Sequence, residues 1–325
     1  MIMADKLKEI LSPVSEELAK VDINIKKNLE TGVPLIDKSA LHLFAKGGKK
    51  IRASLVILSA AMGGEVTERV IELAAAVEII HAASLVHDDI IDKSFLRRGD
   101  LSVPSKFGDK VAVLAGDYMY LTAVGIAVDN SNKKILKSLS KATREMVQGE
   151  LYQLEYSNID KITQEHYYNI INRKTAQLMA ASAFIGGAEV GFDDNRCNAL
   201  YSMGLDLGYA FQIVDDTLDF SESSEVTGKD IGNDFKDGKI TLPFIYILNS
   251  GDEADRSKVM DFYRSPDDAD FAEIKDLIHR SGAFDFSLAK AREFAQRSKD
   301  WLDIFESSIY KDIIIIALHI SYIRI

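Results

Sequence analysis

Residues 70–92, VIELAAAVEIIHAASLVHDDIID, are the stretch that most restricts the fold. At about 100° per residue, their apolar side chains fall on nearly every side, so a helix here needs neighbours all round and belongs inside a bundle. The same helical period recurs along almost the whole chain, while the two-residue alternation of a half-buried strand is nearly absent. It predicts helices over 3–29, 49–62, 67–93, 109–128, 133–157, 163–187, 195–222, 239–249, 267–281, 284–305 and 309–323. Polar, Gly-containing breaks fall at 94–108, 221–238 and 250–256. The expected class is all-α, a bundle of roughly ten or more helices around a central cavity. It is read as a single domain over residues 1–325, because no linker separates two compositions and no repeat period suggests a solenoid.

Composition then narrows the function. With 325 residues, 47% of them hydrophobic, the chain can bury a sizeable core. A net charge of −11 argues against broad adhesion to nucleic acid, so any anionic ligand must be held by a local set of cations. The single cysteine cannot form an intramolecular disulfide, and the polar N-terminus does not resemble a signal peptide, so a cytoplasmic protein is expected. The apolar run DIIIIALHISYIRI at 312–325 is shorter than the roughly 20 residues of a membrane span and reads as a last core helix, with peripheral membrane contact as the other possibility.

The end of the buried helix poses an electrostatic problem. Asp88 and Asp92 are i and i+4 on one face, with Asp89 on its shoulder, so three carboxylates crowd a helix terminus whose dipole is already negative. One such cluster could be a solvated acidic turn. FQIVDDTLDF at 211–220 repeats the spacing with Asp215, Asp216 and Asp219, again closing an apolar helix. Two DDxxD helices would offer hard oxygen ligands suited to Mg²⁺, which binds through a few carboxylates and substrate phosphates.

Basic residues complement these acids. GGKKIRAS at 47–54 sets Lys49 and Arg52 at i and i+3 by a helix start, where free N–H groups also favour a phosphate; its spacing excludes a Walker A loop. Arg97 and Arg98 follow the first acidic helix, Lys174 and Thr175 lie in NRKTAQLM, and Lys229 and Lys239 bracket the loop after the second.

The set GGKK-x-R, H-x5-HDDxxD-x4-RRG, GEL-x-Q, KTA, FQ-x2-DD-x2-D and GKD-x3-D-x4-GK, in this order over about residues 47–240, resembles the trans-isoprenyl diphosphate synthases, or polyprenyl synthetases. One departure is Ala53, which stands where the family usually has proline and bears on the local helix start. The resemblance implies the isoprenoid synthase-like helical fold and a homodimer. It also implies a reaction in which an allylic diphosphate ionises and its carbocation alkylates isopentenyl diphosphate. Mg²⁺, three ions per active site with substrate bound, would be held by Asp88, Asp92 and Asp215, with Asp89, Asp216 and Asp219 nearby. Arg97, Lys174, Lys229 and Lys239 would take the allylic diphosphate. Lys49, Arg52, His81 and Arg98 would take isopentenyl diphosphate, and Thr175 and Gln212 would face the cation. No histidine is assigned as base, since the departing diphosphate takes the proton in this family.

Several of these residues have plainer readings. His81 could be a satisfied core histidine, and His87 is left structural. Glu150 and Gln153 are either supporting groups or interhelical contacts. Tyr118, Tyr120, Tyr167 and Tyr168 are read as core or interface residues. A terpene cyclase is disfavoured by the second DDxxD, an HD-type phosphohydrolase by too few placed histidines, and a non-catalytic partner subunit by six intact acids.

Chain growth would drive the product tail along the buried helix, one turn of about 5.4 Å per isoprene unit. One turn up from Asp88 stand Ala83 and Ser84, where short-chain members of the family place an aromatic residue; Ile80 lies beyond. The expectation is a long product of about C30–C50, with octaprenyl (C40) the value chosen and a C15–C20 product the alternative.

Overall fold

The computed structural model describes residues 2–45, 47–97, 99–129, 132–156, 158–221, 238–265 and 269–322. Most of them are helical. Instead of one helix over 3–29, α1 (Ile2–Ile10) and α2 (Ser15–Leu29) flank a 3₁₀ turn at Ser12–Val14. Pro13 supplies no N–H for a continuous ladder. α3 (Pro34–His42) and α4 (Ile51–Ala61) lead into α5 (Glu68–Ile91).

The stretch expected as a loop at 94–108 holds a small antiparallel hairpin, β1 (Leu96–Arg97) and β2 (Asp100–Leu101), and the short α6 (Val103–Phe107). α7 (Asp109–Asp129) and α8 (Lys133–Glu155) follow. The helix expected over 163–187 is α9 (Gln164–Ile171), a π turn at Asn172–Ala176, and α10 (Gln177–Glu189). α11 (Asp194–Leu218) carries the second acidic motif. The chain ends with α12 (Leu242–Ser250), α13 (Glu253–Arg264), α14 (Phe271–Arg280), α15 (Ala283–Asp300) and α16 (Ile309–Tyr322). α13 and α3 are helices that sequence periodicity missed.

α5 is enclosed as its composition requires. Ile71, Leu73, Ala74, Val77, Ile79, Ile80 and Ala83, spread around the helix, are each 1% exposed or less. Its main neighbours are α2, α4, α7 and α10. Each buried Leu or Ile contributes roughly 1.5–3 kcal/mol, so the end of this helix is held far more rigidly than an exposed acidic turn. Two apolar clusters divide the interior: one surrounds α4, α5, α7 and α10, the other the end of α11 with α12, α14 and α15. The first acidic motif therefore ends a helix of the first cluster, and the second ends α11 where that helix runs out of the first cluster into the other.

Candidate active site

The C-terminal end of α5 presents its three aspartates in different states. Asp92 is the C-cap residue, and its Oδ2 lies 3.4 Å from Lys239 Nζ. Asp89 is fully buried, and its Oδ1 accepts from both Arg97 Nε and Nη2 at 2.6 Å. Asp89 Oδ2 is buried with no hydrogen-bond partner. Arg97 thus anchors the hairpin to the acidic helix end. The Asp88 carboxyl is pushed up to about 6. Burial is the main cause; Lys174 opposes it, Glu150 and Asp92 add to it, and Arg97 opposes it.

Lys174 and Thr175 belong to the π turn, where the hydrogen-bond ladder shifts to i→i+5 and admits one extra residue. Lys174 Nζ is ion-paired with the buried Glu150 carboxylate and donates to Gln153 Oε1 at 3.0 Å, both on α8. Thr175 Oγ1 donates to Gln212 Oε1 at 2.8 Å on α11. The turn is gripped from two sides by glycine. A Cβ on Gly149 of α8 would lie 2.7 Å from Arg173 Cβ and 3.0 Å from Lys174 Cγ, and one on Gly208 of α11 would lie 2.4 Å from Ala176 Cα.

At the end of α11, Asp215 is half-buried, Asp216 is buried, and Asp219 is the buried C-cap residue. Gln212 Nε2 donates to Asp216 Oδ1 at 2.7 Å, and the Tyr167 hydroxyl donates to Asp216 Oδ2 at 2.7 Å. Tyr167 is the core residue that the sequence suggests, yet it also serves this network. Its signal was invisible locally, because the partner lies 49 positions away.

A cavity of about 450 Å³ opens where these groups meet. Its wall includes Asp92, Lys239, Lys174, Gln153, Thr175, Gln212, Tyr167 and Asp216. Cations, carboxylates and uncharged oxygens therefore line one space of ligand-binding size. Among the described residues, no three His, Cys, Asp or Glu side chains are gathered closely enough to hold a metal ion.

Asp88, Asp89, Asp215 and Asp219 are not part of this wall, and the remaining sequence-predicted residues also stand apart from it. Lys49 is exposed, just before α4. Arg52 is on the first turn of α4, and burial pushes its guanidinium below its usual range while the buried Glu78 carboxylate on α5 opposes that shift. Its Nε is buried without a hydrogen-bond partner. Glu78 Oε1 also accepts from the Ala53 N–H at 3.0 Å, so one amide counted on for a phosphate is already used. α4 begins at Ile51 behind Lys50, whose φ of 47° is left-handed. His81 is half-buried on α5. His87 packs against Gly116 of α7, with Nε2 3.2 Å from the Val113 carbonyl oxygen. Ala83 and Ile80 are fully buried; Ser84 is half-buried and its hydroxyl donates to the His81 carbonyl oxygen at 2.8 Å. Arg98, Lys229 and most of the break at 221–238 lie outside the described residues.

Comparison with known proteins bears on the whole chain. A family model described as polyprenyl synthetase matches residues 33–280. The octaprenyl diphosphate synthase of Haemophilus influenzae is 30% identical over 325 residues, which is 100% of this chain and 98% of that relative. The heptaprenyl diphosphate synthase component 2 of Geobacillus stearothermophilus is 34% identical, covering 92% of each chain. A polyprenyl synthase from Caulobacter crescentus, solved in complex with calcium and isoprenyl diphosphate, superposes with a TM-score of 0.91 at 32% identity over 97% of both chains. A matched family model over residues 33–280 and likeness along almost the full length together establish that the chain belongs to the polyprenyl synthetase family, the trans-isoprenyl diphosphate synthases.

Proposed function

We propose that the protein is a Mg²⁺-dependent prenyltransferase that elongates an allylic diphosphate with isopentenyl diphosphate to a long-chain polyprenyl diphosphate of about C40. The observation that carries this reading is the cavity wall, which brings Lys174 and Lys239 together with Asp92 at the end of α5 and with Thr175 and Gln212. Loss of diphosphate from an allylic carbon needs positive charge at the leaving group and lone pairs near the cation that forms.

The acidic residues fit a divalent cation by their donor chemistry. Asp88 is half-buried and its carboxyl is pushed up to about 6, first by burial, with Glu150 and Asp92 adding to that shift, and Asp89 keeps a buried oxygen without a partner. Carboxylates crowded in this way bind hard cations at the expense of protons. Mg²⁺ ions that each took one or two of Asp88, Asp92 and Asp215 together with substrate phosphate oxygens would supply charge neutralisation for the diphosphate. Lys174 and Lys239 would hold the diphosphate oxygens, while Thr175 and Gln212 turn lone pairs toward the cavity. Lys49, Arg52 and His81 would take isopentenyl diphosphate. Support for the long product comes from the relative named octaprenyl diphosphate synthase and from Ala83 and Ser84, which carry no bulky side chain.

The reading includes a cytoplasmic homodimer. Two described helices, α5 and α7, are long and apolar enough to cross a membrane by length and composition alone, but α5 is enclosed by protein. α7 and α8 leave an apolar face open: Leu114 and Leu121 are 69% and 70% exposed, with Val124, Val128 and Leu151 also outward. A patch of this kind favours a protein partner. A second copy is the first candidate; a different subunit is the second, since one relative is named as a component.

Incubation with Mg²⁺, farnesyl diphosphate and labelled isopentenyl diphosphate, against an EDTA control, tests the reading. A metal-dependent product ladder ending near C40 supports all of it. An end at C15–C20 keeps the chemistry and removes the chain-length reading, and no elongation with several primers rejects the enzyme assignment.

A further inference from the structure

Four side chains from three segments form one directed hydrogen-bond chain through the cavity wall. The Tyr167 hydroxyl donates to Asp216 Oδ2 at 2.7 Å, Gln212 Nε2 donates to Asp216 Oδ1 at 2.7 Å, and Thr175 Oγ1 donates to Gln212 Oε1 at 2.8 Å. The directions are those that an ionised Asp216 requires. An ionised carboxylate only accepts, so Gln212 must turn its amide nitrogen to Asp216 and its carbonyl oxygen to Thr175. The Thr175 proton is then committed to that carbonyl, which leaves the remaining lone pairs of both oxygens for the cavity that Thr175 and Gln212 line.

The π turn makes this meeting possible. In an unbroken α-helix, residues 167 and 175 would point about 80° apart. One residue absorbed in the turn at Asn172–Ala176 reduces the offset to that of i and i+7, about 20°. Tyr167 and Thr175 therefore face α11 together, one on Asp216 and the other on Gln212, four residues apart.

We infer that Tyr167 is a positioning residue which, acting through Asp216, locks the Gln212 amide so that the oxygens of Gln212 and Thr175 are presented to the cationic carbon of the substrate. The inference rests on the prenyltransferase reading above and assigns a task to a residue outside the expected ligand sets. Asp216 has a second task beyond acidity. Held between Tyr167 and Gln212, at 5% exposure, it polarises the amide and increases the negative charge on its oxygen. Without the hydroxyl, Asp216 loses one of the contacts that orient it, and it holds the amide less firmly.

The test is Tyr167→Phe, which keeps the ring in the core and removes one oxygen, with Gln212→Leu and the double variant. The expected result is a fall in kcat of roughly tenfold, KM for both substrates and the Mg²⁺ requirement unchanged, and no further fall when Tyr167→Phe is added to Gln212→Leu. Additive losses, or a loss restored by higher Mg²⁺, would overturn the proposal; the second would make Asp216 a metal-site residue. A binding arm works without turnover. Calorimetry with a protonated farnesyl amine plus inorganic diphosphate, against the neutral alcohol of the same skeleton, should show preference for the cation in the native protein and a reduced preference in Tyr167→Phe. Equal preference in both proteins rejects the relay, whereas failure of the native protein to elongate any primer rejects the prenyltransferase reading instead.

Discussion

Lys174 is ion-paired with Glu150 across the gap between the π turn and α8, and both charges act on Asp88 at the end of α5. Lys174 draws the Asp88 carboxyl down and Glu150 drives it up, with burial the larger effect. The first acidic motif is therefore tuned by a pair of residues from two other segments. Glu150→Gln should lower the Asp88 titration below about 6, and Lys174→Met should raise it. Carboxyl NMR of the metal-free protein checks both directions; a shift of the same sign in the two variants would show that the pair is not what sets it.

The metal-free stability should depend on pH through Asp88. Its proton is bound more tightly in the folded protein than at the ordinary 3.8, so the favourable contribution is complete below about that pH and lost as pH rises through about 6. Asp88→Asn should therefore melt higher than the native protein at pH 7.5 in EDTA, with the difference closing toward pH 4. A difference independent of pH would assign the effect to packing.

Magnesium with inorganic diphosphate should reverse that order. Ligands that bind only the folded site raise its stability with concentration, by about 2.7 kcal/mol at a hundred times the dissociation constant. The native protein should gain a large thermal shift from the two together, and Asp88→Asn a small one. Scanning fluorimetry decides it, and no shift at saturation would count against a metal at these aspartates.

Ala83→Tyr should shorten the product and lower the melting temperature together. Ala83 has no exposed surface, so a ring there either fills space meant for the growing chain or overpacks the core at about 1–3 kcal/mol. Chromatographic sizing separates the two effects: destabilisation with an unchanged product distribution would remove residue 83 from the path of the tail.

Glu78 should control the affinity for isopentenyl diphosphate through Arg52. Its carboxylate caps the first turn of α4 by accepting from the Ala53 N–H, which has no acceptor inside the helix; the ladder of α4 starts with Ser54 donating to Lys50. Glu78→Gln should raise KM for isopentenyl diphosphate several-fold, leaving KM for the allylic substrate unchanged. Ala53→Pro removes that amide, with a loss of about 1 kcal/mol expected in urea unfolding. Equal changes in both KM values would place Glu78 in general stability instead.

What the sequence discloses follows from what is local. The two aspartate triplets, their shared faces and their positions at helix ends are consequences of a fixed turn per residue, and the structure places Asp92 and Asp219 at the C-caps. The enclosure of α5 was equally plain, because no amphipathic stripe exists to leave a face in water. Relations between distant segments were not legible: Tyr167 with Asp216, Lys174 with Glu150 and Ala53 with Glu78 depend on which helices pack together. The π turn was hidden for a further reason, since NRKTA satisfies an ordinary helical pattern and only its neighbours select the wider ladder. β1 and β2 are two residues each, too short for alternation to register. α13 could have been found. Asp252 accepts from the Asp255 N–H as an N-cap, and Asp255, Val259 and Phe262 repeat at helical spacing, but the polar surroundings read as a break.

Gly149 and Gly208 carry a consequence for how such a chain can change over generations. Each lies so near the π turn that even one methyl group would collide with Arg173, Lys174 or Ala176. Neither glycine is part of the cavity wall, yet drift at either position would be felt first as a displaced ammonium or hydroxyl. Two inert positions on α8 and α11 are thus mutationally tied to the chemistry between them, and tolerance at both can be scored by deep substitution without any knowledge of the reaction.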